Sequence, residues 1–254
     1  MFRVGTMIYS IACYAVSVAV LVYGMGFIGG FFTPTLLDGA PARPVGQALA
    51  IDLGLLLVFA VQHSGMARPG FKRWWTRVIP EPAERSTYVL VSSLAMIALF
   101  ALWQPLGGVI WRAPAGLAAN AVIGLNLFGW ALLLYATFLI DHFDLFGLAQ
   151  GWRRMTGQPH RAPQFRSPGL YGLVRHPIYV GWLTIFWAAP VMTGAHLVFA
   201  LATTAYILVA IRFEERDLVE TFGQTYVDYR LRTPMLIPRL GGRDRAKIPA
   251  QTRP

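Results

Sequence analysis

The sequence predicts an all-α integral membrane protein of about five to six transmembrane helices, ending in a C-terminal helical hairpin. Three observations predict it. Of 254 residues, 56% are hydrophobic and only 13% charged, whereas a soluble domain carries about a quarter charged residues. Long stretches with at most one charged residue recur at the ~20-residue length that a helix needs to cross a bilayer. The basic residues then fall into alternate loops, 20 of the 22 on one side if there are six spans.

The first stretch, 7–32, has a longer apolar core than the ~7–15 residues of a signal peptide, and no small-residue cleavage site follows it, so it is read as a helix. Its Cys13 is the only cysteine, which rules out an intramolecular disulfide and makes a poor thiolate nucleophile. Gly24-Met25-Gly26-Phe27-Ile28-Gly29 spells the dinucleotide fingerprint, but no strand precedes it and the context fails. Gly26 and Gly30 instead predict close helix packing.

The second stretch, 47–66, contains Asp52 and His63. Ionisable groups are costly inside a membrane and mark sites. Eleven residues apart, about three turns, they share a helix face at different depths. Asp52 reads as reaching the interface. His63 reads either as a site residue or as a histidine bonded to a neighbouring helix. The third and fourth stretches are 86–106 and 117–140. The last two, 177–193 and 195–211, are separated by Thr193-Gly194 and predict two helices joined by a tight turn.

Residues 1–240 form a single membrane-embedded domain, with the hairpin at about 170–238. The segment 141–176 has too few apolar residues for its own core and is expected to lie over the mouth as a lid. Leu218, Phe222, Tyr226 and Tyr229 recur at helical spacing, as in an amphipathic helix. Residues 241–254 are basic and polar and predict a disordered tail.

A net charge of +10 could indicate nucleic acid, but its distribution argues against that partner. The first and third loops hold only Arg43 and Arg112. The positive-inside rule then places both termini, and the site described next, on the cytoplasmic side of the inner membrane, with anionic lipid as neighbour. No metal is expected, because the five histidines are scattered and no H-E-x-x-H pair occurs. Oligomeric state is not legible.

The chemistry concentrates in Arg175-His176-Pro177-Ile178-Tyr179-Val180-Gly181 and, some forty residues later, Glu214-Glu215. A hairpin returns both to the same surface. Proline suits a first helical turn, and Tyr179 lies one turn beyond His176. The free N–H groups of the helix start favour an anion, while the glutamates accept from hydroxyls or an ammonium group. A small ligand with a carboxylate, an amine, a ribose and a sulfonium would satisfy them all. Spacing alone equally allows interface residues with glutamates paired to arginines.

These motifs, continued by Phe222-Gly223-x-x-Tyr226-x-x-Tyr229, Pro234 and Pro238, resemble the isoprenylcysteine carboxyl methyltransferase superfamily of integral membrane enzymes. The resemblance implies S-adenosylmethionine as methyl donor, held by His176, Tyr179 and Glu215, with Arg175, Glu214 and Tyr171 as second choices. Tyr23–Gly29, Phe59–Pro69, Glu84–Tyr88 and Asp141–Leu148 look like the methanethiol S-methyltransferase branch. That implies methylation of a small volatile thiol, methanethiol, to dimethyl sulfide. The alternatives are a related enzyme acting on another thiol or a prenylcysteine-like carboxyl group, or a non-catalytic membrane transporter or assembly factor.

The acceptor side then falls to residues outside the hairpin. His63, His142 and Asp144 are candidates to accept the thiol proton. For His142 and Asp144 a packed histidine and a helix cap remain open. Ser64, Tyr88 and Phe143 are candidates for the pocket wall.

Overall fold

The computed structural model describes residues 2–159 and 164–239. The tail expected at 241–254 lies outside the described residues. In chain order the helices are α1 (Phe2–Gly29), α2 (Val45–Ala67), α3 (Pro69–Trp75) and α4 (Glu81–Leu102). A short strand, β1 (Val109–Arg112), precedes α5 (Leu117–Ile140), α6 (His142–Leu145), α7 (Leu148–Thr156) and a 3-10 turn at Gly169–Gly172. Then come α8 (Pro177–Trp187), β2 (Val191–Thr193), α9 (Gly194–Phe222) and α10 (Gln224–Arg232). Five of these helices are long and apolar enough to cross a membrane, namely α1, α2, α4, α5 and α9, and α8 is a shorter apolar one.

The burial pattern is that of a protein whose solvent is lipid. Leu57, Val58 and Val61 on α2 are 63%, 63% and 64% exposed, as an apolar solvent allows and water does not. The interior is aromatic. Phe27 is fully buried against Phe100, at 4.8 Å between ring centroids, and meets Trp103 edge-on. The Trp103 ring also meets Phe199 edge-on, and its indole N–H donates to the Leu37 carbonyl.

The hairpin departs from the two-helix expectation in an informative way. At 1.5 Å per residue, the eleven residues of α8 span only about 16 Å, roughly half of a ~30 Å hydrocarbon core. The chain continues as extended backbone, and β2 pairs antiparallel with β1, Thr193 opposite Val109 and Met192 opposite Trp111. Pro190 explains the break, since it has no N–H to extend the helix and disfavours helical geometry at residue 189. The short helix is held close to α5 by two glycines. A Cβ on Gly181 would come within 3.0 Å of Leu133, and one on Gly129 within 3.0 Å of Ile185, so neither position has room for a larger side chain.

The return helix is longer than expected. α9 begins with Thr193 accepting from the His196 N–H as N-cap and runs for 29 residues, about 43 Å. Its last turns therefore extend past the ~30 Å hydrocarbon core, and Glu214 and Glu215 lie in this extension. Gly223, with φ +56°, ends it in a backbone region that favours glycine, and α10 folds back toward α8. Leu218 and Phe222 thus belong to α9, and Tyr226 and Tyr229 to α10.

Other expectations shift as well. Gly26 accommodates the chain's own turn, since its Cβ would meet the Phe31 carbonyl. Asp52 is fully buried and accepts from the Gln104 backbone N–H at 2.8 Å, so it ties α2 to the segment that follows α4. Within 141–176, α7 packs on α1 and α4, with residues 160–163 outside the described ones.

Candidate functional site

The carboxylates of α9 meet the start of α8. Pro177 occupies the first helical position, and no side chain caps that end. Arg175 and His176 are pinned from behind by backbone pairing, Arg175 N–H to the Pro234 carbonyl at 2.9 Å and His176 N–H to that of Met235 at 3.2 Å. Their side chains converge on Glu215, whose Oε1 accepts from Arg175 Nε at 2.6 Å and from His176 Nε2 at 3.0 Å. A carboxylate only accepts, so Nε2 carries the hydrogen and His176 is held in one orientation. Arg175 also donates through Nη1 to the Thr233 and Arg230 carbonyls, at 2.5 and 3.1 Å, satisfying the end of α10.

Glu214 is placed differently. Its side chain is 43% exposed, against 11% for Glu215. Oε2 accepts from the Tyr179 hydroxyl at 2.9 Å and lies 3.9 Å from His176 Nδ1, beyond hydrogen-bonding range. The two glutamates therefore differ in surroundings: Glu215 is the buried partner of an ion pair, and Glu214 is the more exposed carboxylate. Tyr171 joins the cluster indirectly. Its carbonyl accepts from the Tyr229 hydroxyl at 2.6 Å, and its own hydroxyl reaches the Ala136 carbonyl at 3.4 Å. Burial pushes the Tyr229 hydroxyl up to about 12 and raises Tyr171, with Glu214 adding to the latter, so both remain protonated.

A second cluster is assembled by α2, α4 and α9. The His63 ring stacks on Phe59, with centroids 5.1 Å apart, and faces Tyr88 and Ser92. The Tyr88 hydroxyl is 2.9 Å from Nε2, and the Ser92 hydroxyl is 3.1 Å from Nδ1. Ser64 and Tyr206 bridge α2 to α9 through a 3.1 Å hydroxyl pair. Arg85 lies over the Tyr88 ring at 4.8 Å. The two clusters are tied together through α2 and α9, since Ser64 pairs with Tyr206 and Arg68 with Asp217 at 2.9 Å.

His142, Asp144 and Phe143 fall in a third place. The His142 ring is buried and stacked on Phe138 at 4.3 Å, with Tyr14 at Nε2 and Thr137 at Nδ1. Both nitrogens are therefore engaged within the protein, and burial lowers its pKa. Asp144 pairs with Arg153 at 2.6 Å, while the cap of α6 is Asp141, which accepts from the Asp144 N–H. Phe143 is 46% exposed and packs on Tyr14 and Phe138. The structure does not bring these three together with the hairpin carboxylates.

Sequence reading passed over Tyr206, Ser92 and Thr233, and named Tyr229 only as part of a motif. The detectable signal was a tyrosine hydroxyl inside the apolar stretch 195–211, about two turns before Glu214. As a donor set, the site presents an open carboxylate, an imidazole held in one tautomer and an uncapped helix start. That suits a ligand with hydroxyl or ammonium groups and an anionic end. Beside it lies a wall of rings around one imidazole. Among the described residues no group of three or more His, Cys, Asp or Glu is placed to hold a metal ion.

Residues 125–225 match the family profile described as phospholipid methyltransferase. The chain is 46% identical over 252 residues to methanethiol S-methyltransferase 2 of Bradyrhizobium diazoefficiens, covering 99% of this chain and 97% of that one. It is 48% identical over 239 residues to methanethiol S-methyltransferase of Crocosphaera subtropica, covering 94% of both. With the protein of that name from Mycobacterium tuberculosis it shares 49% over 240 residues, 94% of this chain and 98% of the other. No solved structure matches it.

Proposed function

The chain belongs to the methanethiol S-methyltransferase family of membrane methyltransferases, and from that premise we propose that it methylates methanethiol with S-adenosylmethionine between its two clusters. The observation that carries this reading is that α9 joins both clusters: its Tyr206 hydroxyl pairs with Ser64 of α2 beside His63 and Tyr88, and about two turns on its Glu214 accepts from Tyr179 of α8. A polar grip and an apolar chamber adjoin, as a charged donor and a small thiol require.

When bound, S-adenosylmethionine supplies a methyl group already activated by its sulfonium, and the products are dimethyl sulfide, S-adenosylhomocysteine and a proton. The residues that would hold it are Glu214, Tyr179, His176 and the first turn of α8, with Glu215, Arg175 and Tyr171 fixing their positions. His63 is the residue assigned to take the thiol proton, oriented by Tyr88 and Ser92. His142 and Asp144, engaged by hydroxyls and by Arg153, are assigned to packing of α6 and α7 against α1. With the donor held at the grip, its methyl would pass to the thiol sulfur as the sulfonium–carbon bond breaks, and charge would be neutralised. Phe59, Tyr88 and Tyr206 keep water from the separated ions, and fixed placement supplies the proximity term. The arginine distribution supports a cytoplasmic site in the inner membrane.

Headspace gas chromatography of cells expressing the protein and fed methanethiol tests the reading. Dimethyl sulfide should rise above that of cells without the protein. Well-expressed protein that yields none, with the methyl donor present, removes it.

A further inference from the structure

Tyr226 is not accounted for by the grip as described. Its side chain is 2% exposed, yet among the described residues its hydroxyl has no hydrogen-bond partner. The ring is fixed by Phe165 and Tyr229, at centroid distances of 6.0 and 5.7 Å. One turn further along α10, the Arg230 carbonyl accepts from Arg175 and the Arg230 guanidinium lies 4.0 Å from Glu215 Oε2, so Tyr226 belongs to the stretch of α10 that adjoins the carboxylate cluster. Its neighbour on α10 behaves otherwise, since the Tyr229 hydroxyl donates to the Tyr171 carbonyl at 2.6 Å.

Burying a hydroxyl without a partner is unfavourable, and phenylalanine would fill the same volume without that cost. The oxygen therefore has a use that the protein's own groups do not supply. Burial raises its pKa, with Glu215 and Glu214 adding to the effect, so the proton stays on and the group can both donate and accept. Glu214 can only accept. A ligand group lying between them must donate to the carboxylate, and a sugar hydroxyl or an ammonium group does so while also pairing with the tyrosine.

We propose that the Tyr226 hydroxyl is a direct ligand contact, closing the hairpin grip from the α10 side around a hydroxyl or ammonium group of the bound methyl donor or its product. This rests on the cofactor reading above. It makes α10 part of the binding site, where the amphipathic pattern alone would make it a surface helix.

The test compares Tyr226→Phe with Tyr229→Phe in the full-length, membrane-reconstituted protein, using S-adenosylhomocysteine as probe. Tyr226→Phe should raise the Kd about tenfold while the melting temperature of the unliganded protein stays level or rises. Tyr229→Phe, which removes a bond internal to the protein, should lower that melting temperature. An unchanged Kd in Tyr226→Phe overturns the proposal, and so does a melting temperature that falls as it does in Tyr229→Phe. 5′-Methylthioadenosine, which keeps the ribose and lacks the amino-acid end, separates the two donors. A repeated loss of affinity assigns the contact to a ribose hydroxyl, and its absence, with the S-adenosylhomocysteine loss intact, to the ammonium. If the wild type binds no S-adenosylhomocysteine, the cofactor reading itself fails.

Discussion

The hairpin grip and the α2–α4 chamber solve opposite problems with opposite materials. At the grip, Arg175, His176 and Glu215 form a buried ionic knot tied on both sides by backbone carbonyls. In the chamber, His63 is held by rings and two neutral hydroxyls. The grip lies where α9 extends past the hydrocarbon core and can recruit charges, while the chamber lies among helices that cross it, where charge is costly. The difference teaches that one helix, α9, supplies both sites by its length: Tyr206 within the apolar stretch and Glu214 beyond it.

If the knot is structural and the chamber chemical, their variants should separate, and the largest effect should come from the knot. Glu215→Ala leaves Arg175 buried without its carboxylate and should destabilise the protein by about 3–5 kcal/mol, read as a large fall in melting temperature. Ordinary stability with only cofactor affinity lost would break the distinction between Glu215 and Glu214.

Next comes His63→Ala, expected to lower turnover of methanethiol about 10²-fold or more, with S-adenosylhomocysteine affinity within about twofold of wild type on isothermal calorimetry. Equal loss of affinity would merge the two regions into one. Glu214→Gln should be smaller, weakening S-adenosylhomocysteine binding about tenfold through one lost charge-assisted contact, with little change in melting temperature.

The smallest effect concerns His142, placed in neither region. Burial depresses its pKa in the folded state from an unfolded value of about 6.5. Its contribution to stability is thus complete above about pH 6.5 and declines as pH falls below that toward the lowered folded value. Melting temperature measured across this window should slope downward with acid, and His142→Phe should flatten the slope. An unaltered slope would show that the ring is not the group being protonated.

Much of this was legible in the chain. Apolar stretches of bilayer length with almost no charge marked the spans, because a membrane tolerates little else, and the Arg-His-Pro turn with Glu214-Glu215 marked the polar cluster, because a hairpin returns its ends to one surface. Less legible was the contrast between adjacent glutamates. Glu214 and Glu215 differ by about 100° around α9, and only the positions of α8 and α10 turn one inward to Arg175 and leave the other open. His63 and His142 looked alike as membrane-edge histidines. Their surroundings diverge because His142 meets Tyr14 and Thr137, from α1 and α5, whereas His63 meets Tyr88 and Ser92 of α4 beside the Ser64–Tyr206 pair.

By itself, then, the sequence determined that the protein crosses a membrane, which loops carry the charge, and which polar residues the hairpin brings to one end. These follow from composition, span length and local spacing. The tertiary structure alone decided that α8 has only eleven residues before the chain turns extended, that Glu215 pairs with Arg175 while Glu214 is more exposed, and that the buried Tyr226 hydroxyl has no partner among the described residues. Each depends on which side chain a distant helix presents, and that contact has no signature in the spacing of residues along one chain segment.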